Sequence, residues 1–374
     1  LPRMRQGLMM KDATLDRFFG LLIAWYDPRG QNLGYDDLPL DITFKGDAAV
    51  GAMRSGWERH DIYLGFKAGY NQADHGHMDI GSFVLDANEV RWALDLGGDT
   101  YDALPGYFDF NLQRWTYYRC SNKGHNTLVM DDAIQNPHAR IDISDFYSER
   151  DSAYARIDMT EAYKTQAARV ERSFKMVNKR QAVRIEDYIE LHSDQSIVRW
   201  GMITSADITL MGNKAVLAQD RTYLAVQLLS PLNREFQSVS TTPNNAKEKP
   251  NTGTRMLSVF VKAGVNNIAE IITEMTPTAD PTKVFAQTVM AQPKEFFLLP
   301  NYPNPFNPST TIAFELKKSG HVELAIYNAS GQLVRYLVND FRMAGQYSVV
   351  WNGLDATGTR VSSGLYFYKM ILGD

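Results

Sequence analysis

Two of the chain's seven histidines stand one residue apart, in Asp74-His75-Gly76-His77-Met78-Asp79-Ile80-Gly81-Ser82-Phe83. A carboxylate, Asp95, closes the apolar run Val90-Arg91-Trp92-Ala93-Leu94-Asp95. A third histidine opens Gly124-His125-Asn126-Thr127-Leu128-Val129-Met130. On a β-strand, residues i and i+2 share a face. That alternation predicts that His75 and His77 point at one locus, with Asp95 and His125 arriving from neighbouring strands. Two imidazoles and one carboxylate suit Zn²⁺ and leave a fourth position for water or substrate. His60, His138, His192 and His321 lack such surroundings and read as surface or structural residues, although His138 is close enough in sequence to line the same cleft.

These motifs, in this order, give the run from about Leu38 to Asp131 its character. It resembles the C-terminal β-sandwich of heparinase II/III-type polysaccharide lyases. The residues that carry the resemblance are His75 to Phe83, Asp95-Leu96-Gly97 and His125-Asn126-Thr127-Leu128, with Arg54-Ser55-Gly56-Trp57 and Phe66-Lys67-Ala68-Gly69 upstream. From about Ala139 to Val289 only strand patterning continues. The resemblance implies that His77, Asp95 and His125 are zinc ligands and that the zinc supports the site. It also implies that His75 lies beside the scissile sugar as a base or base-assisting group. The family uses tyrosines too, and Tyr101 and Tyr107 are the nearest candidates.

The implied substrates are uronate polysaccharides, whose C5 proton is α to a carbonyl. β-Elimination removes that proton and expels the 4-oxygen. Such a site must neutralise the carboxylate, supply a base and protonate the leaving oxygen. A histidine or tyrosine suits the proton transfers. Positive charge near His75 favours its neutral form, and Tyr101 or Tyr107 could protonate the leaving group. Arg114 and Arg119 are local candidates for carboxylate neutralisation, but a surface salt bridge is the expected role of each.

The elements that must hold these residues read as strands. Ile62–Ala68, Ser82–Asp86, Arg91–Leu96, Thr127–Met130, Ala168–Met176, Gln181–Leu191, Ile197–Ile203, Thr222–Leu229 and Arg255–Ala263 alternate and are rich in β-branched and aromatic residues. So many strands predict a large two-sheet sandwich over residues 35–292. Thr241 to Thr254 has almost no apolar residue and reads as an exposed, mobile hairpin loop. Residues 293–300 read as a linker.

Beyond it, Leu299-Pro300-Asn301-Tyr302-Pro303-Asn304-Pro305-Phe306-Asn307-Pro308 can be neither helix nor central strand. Five short alternating segments follow: Thr311–Leu316, Val322–Tyr327, Leu333–Leu337, Gln346–Trp351 and Gly364–Met370. Gly-rich turns separate them, which predicts a small β-sandwich over 301–374. The segment resembles the C-terminal sorting domain of type IX secretion cargo, related to the Ig-like domain of flagellar hook-capping proteins. The carrying residues are Asn301 to Pro308, Tyr327-Asn328-Ala329-Ser330-Gly331-Gln332-Leu333-Val334-Arg335, Trp351-Asn352-Gly353 and Ser363-Gly364-Leu365-Tyr366-Phe367-Tyr368. The resemblance implies passage through periplasm and outer membrane to the surface or medium, with the type IX machinery as partner. A generic Ig-like spacer is the plainer reading.

At the other end, Leu15, Phe18, Phe19, Leu22 and Trp25 recur at helical spacing, with Asp12 as a cap and Asp27-Pro28 as a stop. Residues 1–34 therefore read as the last helix of a larger helical domain. In the lyases resembled, an (α/α) toroid precedes the sandwich and supplies half the active site. The expectation is a fragment of a longer precursor, nearly inactive alone. The fold class expected is thus mainly β, a large sandwich with a helical remnant before it and an Ig-like sandwich after it.

The 374 residues carry a net charge of −4 with no basic block, so nucleic-acid binding has no electrostatic footprint. No apolar run is long enough to span a bilayer. A single cysteine, Cys120, excludes an intrachain disulfide. Two other function classes remain. One is a non-catalytic, surface-carried carbohydrate-binding or adhesive sandwich, with Tyr107, Phe108, Trp115, Tyr117 and Tyr118 as stacking aromatics, although such residues in strands more often form core. The other is a zinc hydrolase, disfavoured because no Glu adjoins the histidines as its base.

Overall fold

The computed structural model describes residues 38–111, 113–243, 245–280, 296–298, 301, 304 and 306–373. The helix expected within 1–34 lies outside the described residues. Within them the chain is mainly β, and helix is confined to short 3₁₀ turns. None is long and apolar enough to cross a membrane.

The large sandwich stacks an eight-stranded antiparallel sheet against two smaller sheets. The larger sheet runs Asp207–Met211, Lys214–Gln219, Thr222–Ser230, Ile268–Thr278, Ala182–Leu191, Ala167–Val177, Ser152–Asp158, Ile143–Glu149. Alternation drives it: in Ala167–Val177 the residues Val170, Arg172, Phe174 and Met176 are buried while their neighbours are half-buried. The opposing layer holds a five-stranded sheet, Ile42–Phe44, Val50–Arg54, Tyr63–Lys67, Phe83–Ala87, Val90–Ala93. Beside it lies a four-stranded sheet, Gln237–Ser240, Arg255–Lys262, Ile197–Thr204, Leu128–Met130. The Leu94 N–H donates to Ile203 O at 3.0 Å and joins the two. Phe66 stacks on Phe174 across the layers with ring centroids 4.5 Å apart, and Phe83 meets Trp200 at 6.2 Å. One apolar core runs through all three sheets.

Phe296–Leu298, in the stretch expected as linker, instead pairs with Thr310–Leu316 and begins the small sandwich. Gly345–Trp351 completes that sheet. The facing one orders Leu333–Arg342, Gly320–Asn328, Tyr366–Gly373. Its core is separate and contains Ile312, Phe314, Leu324, Ile326 and Trp351.

The segment 241–254 departs from expectation in one respect, its buried polar anchors. It is the hairpin loop between Gln237–Ser240 and Arg255–Lys262, and most of its described residues are exposed, but Thr241, Glu248 and Asn251 are buried, and Asn251 Nδ2 donates to Thr241 O at 2.6 Å. Glu248 and Asn251 find polar partners on the segment that carries the histidine site, so the loop is anchored at those points.

Candidate functional site

His75 and His77 do not sit on a strand. They lie in the loop between the short strand Gly69–Tyr70 and Phe83–Ala87, so strand alternation does not set their directions. His75 adopts a left-handed backbone with φ +57°, and its side chain is 75% exposed. Its Nε2 is 3.9 Å from Asp74 Oδ1. His77 is half-buried. Between them Gly76 is obligatory, because a Cβ there would come within 2.7 Å of both Ala73 O and Asn71 O. The loop is pinned on both sides. Gly76 N–H donates to Ala73 O at 2.7 Å, Met78 N–H to Cys120 O at 2.9 Å, and the Lys67 ammonium pairs with Asp79.

Asp95 lies two residues beyond the end of the strand Val90–Ala93, its carboxylate partly exposed, and His125 precedes Leu128–Met130. The two meet: His125 Nδ1 is 2.9 Å from Asp95 Oδ2, and His125 Nε2 is 2.8 Å from Arg119 O. Asn126 fixes the junction. Its Nδ2 donates to Phe83 O at 2.7 Å and Leu94 O at 3.1 Å, and its Oδ1 accepts from Ile203 N–H at 2.6 Å. The strand ends that carry Asp95 and His125 are thereby tied to one side chain.

The electrostatics follow from this geometry. Burial disfavours charge on His125, but the adjacent Asp95 carboxylate overrides it and raises the imidazole's proton affinity. Burial likewise works against the Asp95 charge, yet His125 and the Gly97 N–H hold the carboxyl below its usual range. Burial, then the charges of His125 and Arg114, pull His77 down to about 3.

Arg114 and Arg119 are not surface salt bridges. Both are buried. Arg114 Nε and Nη2 donate to Gly76 O at 3.2 and 2.9 Å, and Nη1 donates to Tyr107 O at 2.8 Å. Arg119 Nη1 donates to Leu96 O at 2.6 Å and Gly98 O at 3.0 Å, which flank the Asp95 turn. Segment 241–254 closes over this region. Glu248 Oε2 accepts from Tyr118 N–H at 2.6 Å, and Asp99 Oδ1 accepts from Lys249 N–H at 2.9 Å. Glu248 and Asn251 belong to no motif, and the motif that contains Asn126 does not mark it as a clamp. Their side chains act on backbone groups or on the buried Arg119.

Tyr107 is 3% exposed and forms a small core with Met78, Leu104, Trp115, Tyr117 and Cys120. Burial, then Cys120, pushes its phenol up to about 12. Tyr101 opens the 3₁₀ turn Tyr101–Ala103, six residues past Asp95. Of the aromatics weighed as sugar platforms, Trp115 and Tyr117 are buried and Phe108 is 64% exposed. His60, His138, His192 and His321 are exposed.

Two imidazoles and a carboxylate are donor types that a divalent cation takes. Among the described residues no three His, Cys, Asp or Glu side chains converge as a cage. Yet both ring nitrogens of His125 face oxygen acceptors, while a neutral imidazole offers one N–H. With Nε2–H on the Arg119 carbonyl, the 2.9 Å between Nδ1 and Asp95 Oδ2 is a hydrogen bond that a second proton fills, and a metal ion would take the place of that proton. A carbonyl-bound N–H of this kind is the usual outer support of a metal-ligating histidine. The His77 and His125 ring centroids are 5.2 Å apart. Two imidazoles sharing one tetrahedral zinc at ~2.0–2.1 Å have ring centres roughly 5 Å apart.

Residues 46–284 match the family described as heparinase II/III-like, C-terminal, and residues 304–371 match the FlgD Ig-like domain. Among solved structures, a mutant of the heparan sulfate lyase HepC from Pedobacter heparinus superposes with a TM-score of 0.56 at 14% identity, covering 85% of this chain and 45% of that one. A heparinase III gene product gives 0.56 at 15%, covering 91% and 46%. A further heparinase III gives 0.51 at 12%, covering 81% and 43%. At these identities the likeness is one of fold. The chain spans less than half the length of each of these proteins. No curated protein matches it.

Proposed function

From the premise that this chain belongs to the heparinase II/III-like family through residues 46–284, we propose that it forms the sandwich wall of a polysaccharide lyase site that cleaves uronate polymers by β-elimination. The observation that carries the reading is the His75-Gly76-His77 loop: an exposed imidazole one residue away from His77, whose ring lies 5.2 Å from that of His125, itself paired with Asp95.

His75 is the proton-transfer residue. It is accessible to a polymer, and its loop is pinned at Gly76 and Met78. The Tyr107 hydroxyl is buried against the Asp99 N–H and Cys120, so we assign protonation of the leaving oxygen to Tyr101. His77, Asp95 and His125 would hold a zinc ion, which supplies a fixed positive charge that orders the site. Arg114 is spent on backbone carbonyls and Arg119 on backbone carbonyls and Asn251 Oδ1, so we assign neutralisation of the uronate carboxylate to other groups in the cleft.

The test is turnover by the full gene product. His75→Ala should lower kcat by roughly 10²–10⁴-fold with the fold intact. Wild-type turnover in that variant would move the base to a tyrosine.

For the small sandwich we propose a sorting role that delivers the protein to the cell surface or medium through the type IX machinery. Its likeness to the FlgD Ig-like domain and its separate core support that reading. Deleting residues 296–374 should leave the host's protein in the periplasm. Surface delivery of the truncated protein would refute it.

A further inference from the structure

Arg114 is 2% exposed, and among the described residues no carboxylate pairs with it. A buried guanidinium is costly unless its donors are met, and here they are met by backbone oxygens. Two donors fork onto the Gly76 carbonyl and a third reaches the Tyr107 carbonyl. The cation lies 4.6 Å from the ring centroid of Tyr107 and 4.7 Å from that of Phe110. Gly76 is the one residue between His75 and His77. Its carbonyl belongs to the peptide that leads directly into His77, and its N–H belongs to the peptide that leaves His75.

The His75 backbone is itself in a costly conformation. A left-handed non-glycine residue stores about 1 kcal/mol and persists only where neighbours over-determine it. The Gly76 N–H bond to Ala73 O acts on one side and the Arg114 fork on the other.

We propose that Arg114 is a positioning residue: it fixes the Gly76 peptide and thereby sets where the His75 imidazole stands relative to His77. The role rests on the lyase reading of this site. At 2% exposure Arg114 is closed off from a polymer in the cleft. It acts by holding a histidine within the narrow range over which proton transfer is fast, where a displacement of about 1 Å costs about 10²-fold. A lysine would keep the charge but could not fork two bonds onto one carbonyl while reaching a second.

The test uses the full gene product with Arg114→Lys and Arg114→Ala. Expected are a fall in kcat of roughly 10–100-fold with KM within about twofold of wild type. Guanidinium ion added at millimolar concentration should restore part of the kcat of Arg114→Ala, and none to wild type. Amide exchange at Gly76 and Met78 should quicken in both variants, while Ala182–Leu191 keeps its protection. Unchanged kcat and unchanged exchange would overturn the proposal. So would a rise in KM with kcat intact, which would make Arg114 a binding group. If Arg114→Ala does not fold, Arg114→Lys carries the kinetic and exchange arms. If the wild type cleaves no uronate polymer, the lyase reading fails, and exchange alone decides whether Arg114 holds this loop.

Discussion

Asn251 Oδ1 accepts two hydrogen bonds from the Arg119 guanidinium, at 3.0 Å from Nε and 2.7 Å from Nη2. The two residues are 132 positions apart. Arg119 also grips Leu96 O and Gly98 O, and its own carbonyl receives His125 Nε2. A contact on segment 241–254 is therefore mechanically linked to the Asp95–His125 pair. Asn251→Ala leaves a buried guanidinium short of two partners and should cost about 2–4 kcal/mol. Denaturant unfolding of the sandwich reads it. An unchanged midpoint would mean that the segment rests on the site without bracing it.

Arg172 and Asp187 form a fully buried ion pair, with Nε–Oδ1 at 2.6 Å and Nη2–Oδ2 at 2.8 Å. Arg172 Nη1 reaches on to Gly81 O at 2.8 Å and Asn126 O at 3.1 Å. The pair thus ties the eight-stranded sheet to the end of the histidine loop and to the residue after His125. Arg172→Ala should cost about 3–5 kcal/mol, because it strands a buried carboxylate. A loss below about 1 kcal/mol would show that the carboxyl finds another partner or a proton at no cost.

Glu270 gives a pH signature. Burial pushes its carboxyl up to about 7, only partly offset by the Ser230 hydroxyl at 3.2 Å. The folded state then holds this proton more tightly than the unfolded chain, where a glutamate titrates near ~4.3. Stability from this group is full below about pH 4, falls as pH rises toward about 7, and is flat above. Glu270→Gln should remove that slope, shrinking the drop in unfolding free energy between pH 5 and pH 8 by about 1–3 kcal/mol. Parallel pH curves for variant and wild type would contradict it.

Purified protein should carry about one Zn²⁺ per chain, bound through His77, Asp95 and His125. Chelation should lower the melting temperature, since an ion bound only by the folded state stabilises it. His77→Ala should lose the metal. Wild-type protein with no zinc after growth in zinc-replete medium would refute the ligand set.

Much of the fold was legible because strands announce themselves locally. Ala167–Val177, Ala182–Leu191 and Thr222–Ser230 lie within a residue or two of their predicted bounds, since burying one face imposes a period of two on the sequence. The histidine site was legible as residue types at intervals, but not as geometry. His75 and His77 were expected to share a strand face, and a pinned loop with a left-handed residue holds them instead. Nothing in the motif marks that difference. Arg114 and Arg119 read as surface charges because burial of an arginine depends on carbonyls far away in sequence. Asn251 and Glu248 were hidden for the related reason that a polar loop and a polar clamp have the same composition.

The most direct measurement of the central claim is incubation of the folded full gene product with a panel of uronate polymers, among them heparan sulfate, alginate, chondroitin and hyaluronan. Ultraviolet absorbance of the products is followed beside the release of reducing ends. A lyase yields, from at least one polymer, new reducing ends together with the absorbance of a 4,5-unsaturated uronate, and His75→Ala suppresses both. New reducing ends without that absorbance would make the protein a hydrolase. Binding without cleavage of any polymer would make the sandwich a carbohydrate-binding module.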